Sequence, residues 1–196
     1  MLADHQGKQQ LKATDIEPGT IAAAVSFAID SGTGIADIVS MIRSYYDSAE
    51  PAAGCTEAIQ AISDGLSSSD FARTRSTLAV LDTLYKNCGS PFAVALTQDL
   101  DAFKNFIESP NTNAENRRQL LGMIAEWVVL DMDKSVHKHL DLTPKLRHFF
   151  EALVRAGYEF PLEHTEQLPP GTLERLRAEN NAAWRGLFGV RFKSVR

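Results

Sequence analysis

From Phe71 to Gly89 the apolar residues return at steps of three and four, with Leu78, Leu81, Leu84 and Tyr85 along one side and Asn87-Cys88-Gly89 as a stop. A segment patterned this way must bury one helix face against other helices. Segments on both sides repeat the pattern, and none alternates apolar and polar residues with the two-residue step of a half-buried strand. The chain therefore predicts an all-α fold.

Turn chemistry divides the pattern into elements. Pro18-Gly19 breaks the chain, Thr20 is the candidate cap for a first helix, IAAAVSFAID, and Ser31-Gly32-Thr33-Gly34 ends it. A second helix carries Ile35, Ile38, Val39 and Ile42 on its inner stripe and Ala36, Asp37, Ser40 and Arg43 on the opposite face. A third starts near Pro51 and buries Ala58, Ile59 and Ile62. Ser67, Ser68, Ser69 and Asp70 all offer N-caps for the leucine-rich fourth.

PFAVALTQ and LDAFKNFIE follow as two shorter helices. Thr112 and Glu115 then have capping-box spacing ahead of Leu120, Leu121, Ile124, Trp127 and Val128. Thr143-Pro144 opens LRHFFEALVRA, Gly157 closes it, and Tyr158 to Pro161 is expected to be extended. Pro169-Pro170-Gly171 makes a break before a last helix over 171–196, and no repeat of solenoid period is present. The organisation read from this is a polar lead-in over 1–19, a helical domain over 20–162, and a linker with a basic amphipathic helix over 163–196.

Bulk properties narrow the function classes. The 196 residues are 44% hydrophobic and 23% charged, which is globular material. A net charge of -5 argues against general attraction to nucleic acid. No apolar run reaches membrane-spanning length, and the first residues lack the h-region of a signal peptide. Cys55 and Cys88 are then expected to be reduced thiols in a cytoplasmic protein, small core residues without a basic helper. His137 and His139 stand two apart and so fall on different helix faces, unlike the i, i+4 pair of helical zinc sites, so no metal is expected there even with Asp131, Asp133 and His148 nearby. No phosphate-cradling glycine loop, catalytic carboxylate pair or nucleophile triad is visible, and the expectation is a non-enzymatic chain without a cofactor.

The stretch TLAVLDTLYKNCGSPFAVAL resembles the signature of the VHS domain family, carried by Leu78, Leu81, Leu84, Lys86, Asn87, Cys88, Gly89 and Phe92. The resemblance continues in the same order through DLDAFKNFI, the helix ending in Glu126-Trp127-Val128, and FFEALVRAGYEFP with Gly157, Phe160 and Pro161. It covers roughly residues 20–161. The ENTH and polymerase-tail-binding CID domains are similar, but fit the closing glycine-to-Phe-Pro segment less well. The resemblance implies a right-handed superhelix of about eight helices (stacked helix pairs), an adaptor role in vesicle trafficking, and peripheral attachment to endosome or Golgi membranes.

Two candidate surfaces follow from it, and a third from the charge pattern of the tail. Family members bind ubiquitin on the outer face of the second helix through a tryptophan; register places Ala36 there, leaving Asp37, Ser40, Met41 and Arg43 as the remaining contacts or as a solvated face. Capture of acidic dileucine peptides between the sixth and eighth helices would use Lys104, Arg147 and Arg155, although Asp101 stands where a basic residue is expected. In the tail, Arg175, Arg177, Arg185, Arg191, Lys193 and Arg196 outnumber Glu174 and Glu179, so 171–196 carries +4 and the preceding residues -9. With Trp184 and Phe188, Arg175, Arg177 and Arg185 suit a phosphoinositide membrane surface or docking across the acidic body. The alternatives are a protein–protein scaffold whose ligand sites have decayed, and a CID-like phosphopeptide binder.

Overall fold

The computed structural model describes residues 16–132, 143–166 and 168–179, and every regular element among them is helical. In chain order these are α1 (Thr20–Ser31), α2 (Ile35–Ser44), α3 (Ala53–Leu66), α4 (Phe71–Cys88), α5 (Ser90–Leu96), α6 (Leu100–Glu108), α7 (Ala114–Met132), α8 (Thr143–Arg155) and α9 (Leu162–Thr165). Residues 172–179 form a further helical segment. The all-α expectation holds. By packing the chain divides into two compact units, Met1–Asn116 and Arg117–Arg196.

In the first unit α3 packs against α1, α4, α5 and α6, and α4 against α1, α2, α3 and α5. A stripe of small residues, Gly54, Ala58, Ala61 and Gly65, makes that central position possible; all four are buried. A Cβ on Gly65 would lie 2.6 Å from Thr77 Oγ1 on α4, and one on Gly54 2.9 Å from Ile21 Cδ1 on α1. Larger residues there would push the helices apart, because interaxial distance follows the side chains at the contact.

The inward stripes follow the predicted ones, except that Ile35 and Val39 of α2 are only half-buried. Leu78, Leu81, Leu84 and Tyr85 of α4, Ile38 and Ile42 of α2, and Ala58, Ile59 and Ile62 of α3 are buried. Thr74 and Thr77 are buried with them, and their hydroxyls donate to Asp70 O (2.8 Å) and Arg73 O (2.9 Å), so no orphaned group enters the core. Of the four candidate caps for α4, Asp70 serves: its Oδ1 accepts from Ala72 N at 2.7 Å and Arg73 N at 3.1 Å.

Several local expectations are corrected. Thr20 does not cap α1; it lies within the helix behind Gly19, whose φ of 84° is a conformation open to glycine, and whose N–H donates to Glu57 Oε1 at 3.1 Å. Thr112 does not cap α7: its hydroxyl donates to Phe106 O at 2.6 Å, and Asn113 Oδ1 accepts from Glu115 N at 2.8 Å instead. Gly89 has φ 67° but ψ −154°, an extended mirror conformation reserved for glycine, not a left-handed cap. It swings the chain straight into α5, and Asn87 ends exposed.

The second unit closes on itself. Leu120, Leu121, Ile124, Trp127 and Val128 of α7 and Leu146, Phe150, Leu153 and Val154 of α8 are buried. α8 ends in a Schellman closure, with Gly157 N donating to Val154 O and Tyr158 N to Leu153 O. Past it, Phe160 packs edge-on against Phe150, ring centres 4.7 Å apart. Gly122 leaves room on α7 for Pro161 and His164; a Cβ there would lie 2.8 Å from the His164 ring. Phe160 thus folds back onto α8. Leu168 and Leu176, in the segment read as linker and tail, are buried as well.

Candidate recognition surfaces

α2 presents its outer face to solvent. Ala36, Asp37, Ser40 and Arg43 are exposed and Met41 is half-buried at the flank. No aromatic residue stands on that face. Among the described residues the exposed large apolar side chains are Phe27 on α1, 62% exposed, and Phe71 at the start of α4.

Arg43 has a structural partner: Nη2 donates to the carbonyl oxygen of Asn87 at 2.6 Å. Tyr46, just past α2, donates its hydroxyl to Cys88 O. Because Gly89 leaves α4 without folding back, these two side chains meet carbonyls at the helix end that the chain itself does not close. The guanidinium also complements the negative end of the α4 dipole.

Behind this join lie both cysteines. Cys55 of α3 and Cys88 of α4 are buried free thiols, and both influence Tyr46 electrostatically. Burial first, then the neighbouring Cys88, pushes the Cys55 thiol up to about 12. Burial raises Cys88 to about 11 against the lowering pull of Arg43 and Tyr46. Burial likewise raises the Tyr46 hydroxyl above its ordinary range. Protonated thiols of this kind are poor nucleophiles. Tyr46, which organises the cluster, carries no local sequence signal beyond being a tyrosine near a helix end.

The expected peptide-binding residues are divided between the two units. Lys104 and Asp101 are exposed on α6 in the first unit, and Arg147 is exposed on α8 in the second. Arg155 is half-buried and lies 3.2 Å from both Glu151 and Glu179, so its charge is already matched. In the tail, Arg175 and Arg177 are exposed on the 172–179 segment, with Arg175 3.9 Å from Glu179. Trp184, Arg185 and Phe188 lie outside the described residues, as do His137 and His139. Among the described residues no group of three potential metal ligands occurs, and no helix is long and apolar enough to cross a membrane.

The first unit also holds a cleft of about 600 Å³ that the sequence did not reveal. Its walls are the C-terminal half of α3, the turn over 67–69, the start of α4, α6, and the turn into α7. Serine, threonine, asparagine and aspartate side chains dominate, and no lysine, arginine or histidine lines it. Phe71 is its exposed aromatic member, Phe106 a buried one, and Asn116 its most deeply buried polar one, 1% exposed.

No family model matches the chain, and neither a curated protein nor a solved structure matches it.

Proposed function

We propose that this chain is a non-enzymatic adaptor domain of the VHS type, a right-handed helical superhelix that recognises ubiquitin or ubiquitinated cargo at endosomal membranes. The observation that carries this reading is the outer face of α2, where Ala36, Asp37, Ser40 and Arg43 stand exposed on a helix that buries Ile38 and Ile42 beneath them. The collinear VHS-like segments between residues 20 and 161 supply the family context. Ala36 takes the place of an aromatic anchor, so the interaction is weak and rests on polar contacts plus Met41. Exposed Arg175 and Arg177 would add attraction to phosphoinositide headgroups.

Titration of isotope-labelled protein with monoubiquitin tests the reading. Amide shifts clustered on Asp37, Ser40, Met41 and Arg43 are the expected result. A flat response to millimolar ubiquitin would favour a second reading, a protein–protein scaffold with decayed ligand sites. Engagement of Arg43 by Asn87 O supports that alternative, since this guanidinium has a job inside the fold.

A further inference from the structure

The polar cleft of the first unit has an unbalanced hydrogen-bonding chemistry. Ser63 Oγ donates to Asp99 Oδ2 at 2.7 Å, Ser67 Oγ to Ser63 O at 3.0 Å, and Thr74 Oγ1 to Asp70 O at 2.8 Å. The protons of these hydroxyls are committed, and what they still offer is lone pairs. Asp64 and Asp99 add carboxylate oxygens; their partners are the neutral Gln60 (3.1 Å) and Ser63, and neither makes an ion pair among the described residues.

Asn116 carries the same bias to the floor. It is 1% exposed, its Nδ2 donates to Phe71 O at 3.3 Å, and its Oδ1 has no hydrogen-bond partner. The bond to a carbonyl fixes which end is the amide nitrogen, so the unmatched atom is an acceptor. A buried acceptor left unmatched costs about 1–3 kcal/mol, which a donor arriving in the cleft would offset. Phe71, 40% exposed, supplies an aromatic wall beside it.

We propose that this cleft binds the guanidinium of an arginine side chain presented by a partner polypeptide. A guanidinium offers five donors in a plane and no acceptor, matching a lining that is acceptor-rich and contains no cation. It pairs with carboxylates in a fixed fork and stacks on an aromatic face, the two elements that Asp64, Asp99 and Phe71 provide. A volume of about 600 Å³ takes such a side chain together with flanking peptide backbone. Anions are repelled by the two carboxylates, and a neutral sugar hydroxyl would gain nothing from their charge. None of the α2 face residues lines the cleft, so this proposal stands independently of ubiquitin recognition.

The test is an NMR titration of the labelled full chain with the blocked tripeptide acetyl-Gly-Arg-Gly-amide, beside its citrulline and lysine counterparts. The arginine peptide should give saturable shifts at Asp64, Asp99 and Phe71 and move the side-chain amide signal of Asn116. Citrulline, planar but uncharged, should give none, and lysine should bind at least fivefold more weakly. Asp64→Asn, at an exposed position that leaves the fold intact by circular dichroism, should weaken arginine binding at least fivefold. Phe71→Ala should do the same. Equal shifts from citrulline or lysine, arginine shifts unchanged in Asp64→Asn, or no saturable response would each overturn the proposal.

Discussion

Arg43 donates to the carbonyl oxygen of Asn87 across 2.6 Å, joining the last turn of α2 to the last turn of α4. The two residues are 44 positions apart in the chain. The face of α2 offered for recognition is therefore anchored at one end to a core helix, and a partner that engages Arg43 must compete with Asn87 or share the guanidinium with it.

Replacing Arg43 by methionine keeps much of the stem and removes the donor. Because both groups are near solvent and Asn87 O can turn to water, the expected loss is about 0.5–1 kcal/mol, read as a lower urea midpoint with an unchanged slope. Amide shifts at Asn87 and Cys88 should accompany it. If midpoint and shifts both stay in place, the contact contributes nothing in solution.

The thiols make a pH prediction. Burial pushes the thiols of folded Cys55 and Cys88 up to about 12 and about 11, above the ordinary thiol value of 9.0. Above pH 9 the unfolded chain loses protons that the folded chain keeps, so stability falls as pH rises from there toward the folded values. Cys55→Ala should flatten the fall between pH 9 and 11, measured by urea unfolding at each pH. Alkylation by iodoacetamide at pH 8 should be ~100-fold or more slower in the native protein than in urea, because the thiolate fraction and access are both small. Rapid native labelling would contradict burial of this pair.

Gly65 and Thr77 set the spacing of α3 and α4. Alanine normally favours a helix interior over glycine by about 1 kcal/mol. At Gly65 its methyl would stand 2.6 Å from Thr77 Oγ1, on a side chain that is fully buried and bonded to Arg73 O. Gly65→Ala should thus destabilise by about 1–2 kcal/mol net. Thr77→Ala in the same chain should recover part of the loss, so the double variant is less destabilised than the sum of the two singles by about 1 kcal/mol. Strict additivity would mean that the helices relax apart at little cost.

What the sequence shows well is whatever depends on neighbours within one helix. The inward stripes of α4 and α7 were legible, and the cap of α4 was narrowed to four neighbours including Asp70, because periodicity and capping act over three or four residues. Thr112 misled because Asn113 beside it offers a competing acceptor, and only the path of the chain out of α6 decides between them. The cleft was invisible for a different reason. Gln60, Phe71, Asp99 and Asn116 come from four separate places in the chain, each ordinary for its position. Their meeting around one polar cleft exists only once α3, α4 and α6 have packed. The same holds for Tyr46, whose hydroxyl reaches the Cys88 carbonyl at the end of another helix.

Ala36 gives the sharpest test of the adaptor reading. It is exposed on α2, so a larger side chain there meets solvent and not the core. Tryptophan costs helix propensity on the order of 0.5 kcal/mol, and an exposed aromatic anchor at an interface is worth roughly 1–2 kcal/mol. Ala36→Trp should therefore tighten ubiquitin binding by about tenfold while lowering stability only slightly, with affinity followed by NMR titration and stability by urea unfolding. That gain requires the rest of the surface to be complementary, because an anchor alone does not order Asp37, Ser40 and Met41 against a partner. If Ala36→Trp binds ubiquitin no better than the parent chain, the polar remainder of the α2 face is not a ubiquitin surface, and the scaffold reading becomes the stronger one.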